Sequence, residues 1–183
     1  MPIIPTPLNG TYEIEMDKKG DERGFFARLF CSREWKLAGL DSTIAQINNS
    51  FSSETGTLRG LHYQLPPTTE TKIVRCIQGS LWDVCLDLRK ESPTYLQWHA
   101  ALLSAQNRKM LYIPKGCAHG FITLEPNTEI LYLVSAFYSP EDEGAVRFDD
   151  PAFNITWPIE PTVMSDRDRN LPNFQVEKDG ILV

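Results

Sequence analysis

The sequence predicts an all-β fold. Thirteen prolines and eleven glycines punctuate short segments throughout the chain, the pattern of strands joined by turns. Within those segments β-branched and aromatic residues alternate with period 2. The segments recur without an internal repeat or a low-complexity linker. Such chains close into sandwiches or barrels, the double-sheet jelly roll among them, and periodicity does not choose between these forms. A length of 183 residues suits a single domain spanning 1–183.

Taken in order, a short helix is expected at Arg33–Ala38, with Ser32 as its cap, Glu34 in its first turn and Gly39 ending it. Ile73–Arg89 reads as two strands meeting at Gly79-Ser80, a two-residue hairpin signal. In the second arm Trp82, Val84, Leu86 and Leu88 form an apolar face opposite Leu81, Asp83, Cys85 and Asp87. Further strands are expected at Gln97–Leu103, Lys109–Ile113, Gly120–Leu124 and Glu129–Tyr138. On the last of these Tyr132 and Tyr138 share a face with Ile130, Val134 and Ala136. Beyond Pro151, the spacing of Pro158, Pro161 and Pro172 predicts a loop-rich C-terminal tail wrapping the core.

With 24 acidic and 18 basic residues the net charge is −6. The chain lacks the basic footprint of a phosphate-backbone binder, so nucleic acid is not an expected partner. No apolar stretch approaches the ~20 residues that cross a bilayer, and no signal peptide is visible, so no membrane partner is expected either. Cys31, Cys76, Cys85 and Cys117 show no CxxC spacing. They read as reduced thiols of a cytoplasmic protein, without a zinc site or disulfide framework.

Three histidines are available for chemistry. His99, flanked by apolar residues, reads as structural. His62 and His119 lie beside glycines, as metal ligands or acid–base groups do. Metal is the weaker reading, because such a site needs three or four converging ligands and the position two after His62 is Gln64. A histidine's ordinary pKa near 6.5 suits it to act as a base at neutral pH, the more so when a carboxylate fixes its far nitrogen. Asp168, in Ser165-Asp166-Arg167-Asp168-Arg169, is a candidate for that carboxylate, although the stretch alone reads as a solvated charged loop. Tyr132 and Tyr138 are either core tyrosines with bonded tips or phenols placed as proton donors. Arg23, Arg28, Arg59, Lys72 and Arg75 gather in the first half of the chain. They are surface charges or, where Arg adjoins Gly, partners for phosphate.

The stretches DERGFF (21–26), GTLRGLHYQ (56–64), the strand from Lys72 to Gly79 and DLRKESPT (87–94) are followed by IPKGCAHGF (113–121), Tyr132 with Tyr138, FDDPAFNITWP (148–158) and SDRD (165–168). In that order, over roughly residues 3–175, they resemble the dTDP-4-dehydrorhamnose 3,5-epimerase family of nucleotide-sugar enzymes. The resemblance implies a cupin jelly roll, a double antiparallel sheet barrel with short peripheral helices, needing no metal and no other cofactor. It also implies a homodimer with exchanged strands and a nucleoside-diphosphate 4-keto-6-deoxyhexose as substrate. By position, His62 is the base, Asp168 its dyad partner, Tyr132 the opposite-face proton donor and Lys72 the group that stabilises the enolate oxygen. Arg23 and Arg59 match residues that hold the diphosphate. Phe26, Arg28, Gln46, Asn48, His119, Tyr138 and Glu143 match further substrate-binding positions.

Arg28 stands where the family typically has an acidic residue, Gln46-Ile47-Asn48 replaces a Gln-Asp-Asn triplet, and Arg167 replaces a Lys. The first two are expected to line the substrate site and to shift the sugar or base preferred. Arg59 and His62 have opposite parity on a regular strand, so both reach one site only if the strand bulges, with Gly60 the natural place. Alternative readings are a single-centre epimerase or ketoisomerase of another nucleotide sugar, a non-catalytic sugar-binding cupin, and a metal-dependent cupin oxygenase or isomerase.

Overall fold

A computed structural model describes all residues, 1–183. In chain order the elements are β1 (Ile3–Pro5), β2 (Tyr12–Ile14), β3 (Lys19–Asp21), β4 (Gly24–Phe26), α1 (Ser32–Leu37), β5 (Gln46–Ser52), β6 (Leu58–Gln64) and β7 (Lys72–Gln78). They continue with β8 (Ser80–Asp87), β9 (Trp98–Ser104), β10 (Met110–Ile113), β11 (Cys117–Thr123), β12 (Thr128–Val134), β13 (Glu143–Ala145) and α2 (Asp166–Arg169). A six-stranded sheet runs β1-β2-β10-β7-β12-β5 and a five-stranded sheet runs β13-β6-β11-β8-β9. The ladders within both are antiparallel. The sheets enclose a lumen filled at its centre by Val74, Leu81, Cys85, Leu111, Phe121 and Ile130. This is the jelly-roll barrel that the resemblance implies, one of the forms that the strand pattern allows.

The Gly79-Ser80 junction is not a hairpin. β7 lies in the six-stranded sheet and β8 in the five-stranded one, so the chain turns a corner between sheets there. Each arm already has a neighbour on both edges, β10 and β12 for β7, β9 and β11 for β8, leaving no edge for the arms to pair. Gly79 makes the corner with φ +72°, where a Cβ would collide with Thr128.

The alternation along β8 is real, but both of its faces are buried. Val84, Leu86 and Leu88 point away from the lumen and pack against Leu61, Phe153 and Ile181, with Trp82, Trp157 and Phe174 beside them. The C-terminal tail supplies much of that cover. It is stitched to the barrel by the bridges Thr57–Val163 and Arg89–Ile181, and Trp157 Nε1 donates to the Phe148 carbonyl at 2.9 Å. The opposite face of β8 carries Leu81, Asp83, Cys85 and Asp87 inward, and both carboxylates are fully buried. Carboxylates inside a barrel need partners: Asp87 finds Arg89, Ser92 and Thr94, and Asp83 finds His119 in the site.

Two further expectations are corrected. α1 starts at Ser32 with Cys31 at its cap position and no side-chain cap. Burial of Trp35 holds it instead, edge-on to Phe30 and Tyr112 at 5.1 and 5.7 Å between centroids. β12 ends at Val134, so Tyr132 and Tyr138 do not share a strand. Beyond it side chains take over from the ladder, with Ser135 Oγ accepting from Thr71 N at 2.8 Å and Gln46 Oε1 accepting from Tyr138 N at 2.9 Å. No helix is long and apolar enough to cross a membrane.

Candidate active site

The site is built where β6 slips against β11. His62 pairs with His119 and Arg59 with Phe121, so three steps on β6 match two on β11. The extra residue turns Arg59 and His62 to the same side, as their parity requires. Gly60 absorbs the bulge at φ +110°, and a Cβ there would lie 2.6 Å from Gly120 Cα. Only glycine fits this close approach of two backbones.

His62 Nε2 lies 2.7 Å from Asp168 Oδ1. Asp168 arrives from α2 in the tail, where Ser165 Oγ caps its N–H at 3.1 Å, and Gly60 N–H donates to its other oxygen at 3.3 Å. The charged stretch is therefore not uniformly solvated. Asp166, Arg167 and Arg169 are exposed while Asp168 is buried. Burial pushes the Asp168 carboxyl up, but the His62, Gly60 and Ser165 contacts outweigh it and hold the group below the usual carboxylate range.

The facing wall belongs to the six-stranded sheet. Tyr132 on β12 stands opposite Val74 on β7, two residues from Lys72, so phenol and ammonium are diagonal neighbours. Burial, with a smaller push from the Glu70 charge, raises the Tyr132 phenol, and Arg59 opposes this. Lys72 Nζ is 3.1 Å from Glu70 Oε1.

Two cavities of about 550 and 450 Å³ meet here. His62, Lys72 and Tyr132 are the three side chains common to both linings. Arg59, His119 and Asp168 line the first. Arg59 is anchored by donating to the Phe51 carbonyl at 3.1 Å. His119 makes a second dyad, Nε2 to Asp83 Oδ1 at 2.7 Å, with Asp83 Oδ2 left unpartnered. Gln46, Asn48, Tyr138 and Glu143 line the second cavity. At its mouth Glu143 accepts from Tyr138 OH at 3.1 Å and from Arg167 at 2.7 Å. Burial raises the Glu143 carboxyl, but these partners prevail and lower it.

Some expected residues lie elsewhere in the chain. Arg23, on the β3–β4 hairpin, is exposed and paired with Asp21 at 2.5 Å. Phe26 is 66% exposed, and Arg28 pairs with Glu34 at 3.4 Å. None of the three lines either cavity of its own chain. Ile47 alternates with Gln46 and Asn48 and so points out of the barrel, into an apolar groove beside Trp35 and Leu133. It does not replace an acceptor in this chain's site, contrary to the sequence expectation. Asp83 and Glu70 are additions. Asp83 was visible only as one of two carboxylates on a largely apolar strand, and Glu70 only by sharing parity with Lys72.

Gln64 is buried and committed, its Nε2 donating to the Thr68 and Phe137 carbonyls at 2.8 and 3.2 Å and its Oε1 accepting from Ser139 N at 2.7 Å. Chemically the arrangement offers a carboxylate-backed imidazole on one sheet, a protonated phenol on the other and an ammonium beside the phenol. That is the equipment for moving a proton from one face of a carbon to the other.

The family model for dTDP-4-dehydrorhamnose 3,5-epimerase matches residues 5–176. A dTDP-4-dehydrorhamnose 3,5-epimerase of Sinorhizobium fredii is 44% identical over 162 residues, 88% of this chain and 83% of that protein. The crystal structure of the enzyme of that name from Elizabethkingia anophelis superposes with a TM-score of 0.93 at 38% identity, covering 98% of both chains. The Legionella pneumophila dTDP-6-deoxy-D-glucose-3,5-epimerase, solved in complex with dTDP-4-keto-L-rhamnose, gives 0.85 at 36% identity over 95% of this chain and 98% of that one.

Proposed function

The chain belongs to the dTDP-4-dehydrorhamnose 3,5-epimerase family and is an isomerase, and on that premise we propose that it converts dTDP-4-dehydro-6-deoxy-glucose to dTDP-4-dehydrorhamnose. The observation that carries the reading is the opposition of His62 and Tyr132 across two sheets, with Lys72 beside the phenol.

Inverting a carbon next to a ketone requires removing its proton from one face and returning one to the other. In our reading His62, its Nε2–H held by Asp168, uses its remaining ring nitrogen to take the proton at C5 and then at C3. The negative charge moves to the 4-keto oxygen, where the Lys72 ammonium meets it. Tyr132 then delivers its proton from the far side, and before the second centre reacts His62 releases its proton to solvent and Tyr132 takes one back. A positioned acid or base contributes about 10²–10⁴-fold, and a fixed cation aimed at a developing oxyanion adds electrostatic stabilisation. Arg59 holds the diphosphate. His119, Gln46, Asn48, Tyr138 and Glu143 surround the sugar and its neighbouring groups.

The second diphosphate ligand, Arg23, comes from a partner in this account. The β3–β4 hairpin carries Arg23, exposed Phe25 and exposed Phe26 away from its own cavities, which supports a homodimer in which strands are exchanged. Four free cysteines support a cytoplasmic location. Incubation with dTDP-4-dehydro-6-deoxy-glucose in heavy water tests the function. We expect NMR to show solvent deuterium at both C3 and C5. Deuterium at one carbon alone would indicate a single-centre epimerase, and none at either would overturn the reading.

A further inference from the structure

The Lys72 ammonium does not stand alone on the shared wall. Glu70 Oε1 is 3.1 Å from Nζ, and both side chains are largely buried, 10% and 13% exposed. No other carboxylate pairs with Lys72. Lys72 lines both cavities, whereas Glu70 lines only the second. The carboxylate thus flanks the ammonium on the side of the second cavity, which His62 also lines but Asp168 does not. The backbone that carries the pair is itself fixed. Thr71, between them, donates its N–H to Ser135 Oγ at 2.8 Å and accepts from Ser135 N at 3.1 Å.

A carboxylate this close to an enolate-stabilising cation opposes the charge that the cation serves. Its place beside Lys72 makes sense if geometry outweighs that cost. A lysine stem has several freely rotating bonds, and a buried ion pair removes that freedom before substrate arrives. We propose that Glu70 is a positioning residue that holds the Lys72 ammonium on the wall between the two cavities, aimed at the substrate's carbonyl oxygen. The inference rests on the function proposed above, because it assigns Lys72 to that oxygen.

Glu70 also bears on Tyr132, whose phenol it helps to keep protonated. The other charged or titratable groups facing this wall are Arg59, His62 and Tyr63 from β6, His119 from β11, Tyr138 after β12, Glu143 from β13, and Arg167 and Asp168 from α2. All remain in place in a Glu70 variant.

The test compares wild type, Glu70→Gln and Glu70→Asp with dTDP-4-dehydro-6-deoxy-glucose across pH, with thermal unfolding measured in parallel. Glu70→Gln is expected to lower kcat by about ten- to a hundredfold, the scale of a small misplacement of a reacting group, with little change in KM. Its basic limb should move to lower pH, since loss of the anion eases phenol ionisation. Glu70→Asp, which keeps the charge on a shorter stem, should restore the basic limb and part of kcat. A kcat for Glu70→Gln equal to or above wild type overturns the proposal. So does a loss that comes with a lower Tm, an unmoved basic limb and no recovery in Glu70→Asp. If wild type itself exchanges no deuterium into the substrate, the proposed function fails first and this inference falls with it.

Discussion

Asp168 Oδ1 lies 2.7 Å from His62 Nε2 although 106 positions separate the two residues. The tail that covers the outer face of β8 therefore also supplies the group that orients the His62 imidazole, the proposed base. The contact also makes the base sensitive to acid through its partner.

Asp168→Asn is expected to lower kcat by about 10²–10⁴-fold, and to change stability in a pH-dependent way. The wild-type carboxyl is held below its ordinary range by His62, Gly60 and Ser165 despite burial. Its stabilising contribution is then complete above that range and is lost as pH falls through the lowered pKa. The Tm gap between wild type and Asp168→Asn should be widest near neutral pH and close in acid. A gap that widens in acid contradicts the assignment.

Gly60→Ala should fail on two counts. Its φ of +110° is strained for any L side chain, and the new Cβ would lie 2.6 Å from Gly120 Cα and from the His119 carbonyl oxygen. The strain alone costs about 1–3 kcal/mol, and relief by straightening β6 would turn Arg59 and His62 to opposite faces. Urea unfolding and kcat measured together should both show losses. A variant with wild-type midpoint and rate would show that the bulge is not needed.

The proposed exchange of strands is tested with mixed dimers. Arg23→Ala and His62→Asn chains should each be nearly inactive. Unfolded together and refolded, they should regain activity, because one site of the mixed dimer then has an intact His62 and a partner-supplied Arg23. If Arg23 serves the site of its own chain, no mixture recovers.

Turnover should survive exhaustive chelation. Gln64 occupies the place where a third ligand would have to stand, and its amide is already spent on three loop contacts. A stoichiometric transition metal whose removal abolishes activity and whose return restores it would contradict this.

Much of this was legible in residue order. Period 2 along β8 specifies a strand with one strongly apolar face, and the parity conflict between Arg59 and His62 places the bulge at Gly60. What residue order left open has a common cause. A strand's periodicity states that two faces differ, but not which of them meets the lumen, so the apolar face of β8 turned out to lie under the tail. Gly79-Ser80 has the composition of a hairpin turn, yet what each arm bonds to is decided by distant strands. β5 escaped notice because Gln46, Asn48 and Ser50 face a polar cavity rather than a core. Asp83 and Glu70 became visible only once their partners were in place, since no spacing rule links residue 83 to residue 119.

The central claim is that a base and an acid act from opposite sheets, and separating proton exchange from inversion tests it most directly. In heavy water, with product configuration followed by NMR, His62→Asn should abolish deuterium uptake at every centre. Tyr132→Phe should still exchange, because abstraction needs only the base, but should invert little, because the opposite-face donor is gone. Wild-type exchange in His62→Asn, or full inversion in Tyr132→Phe, would contradict the account.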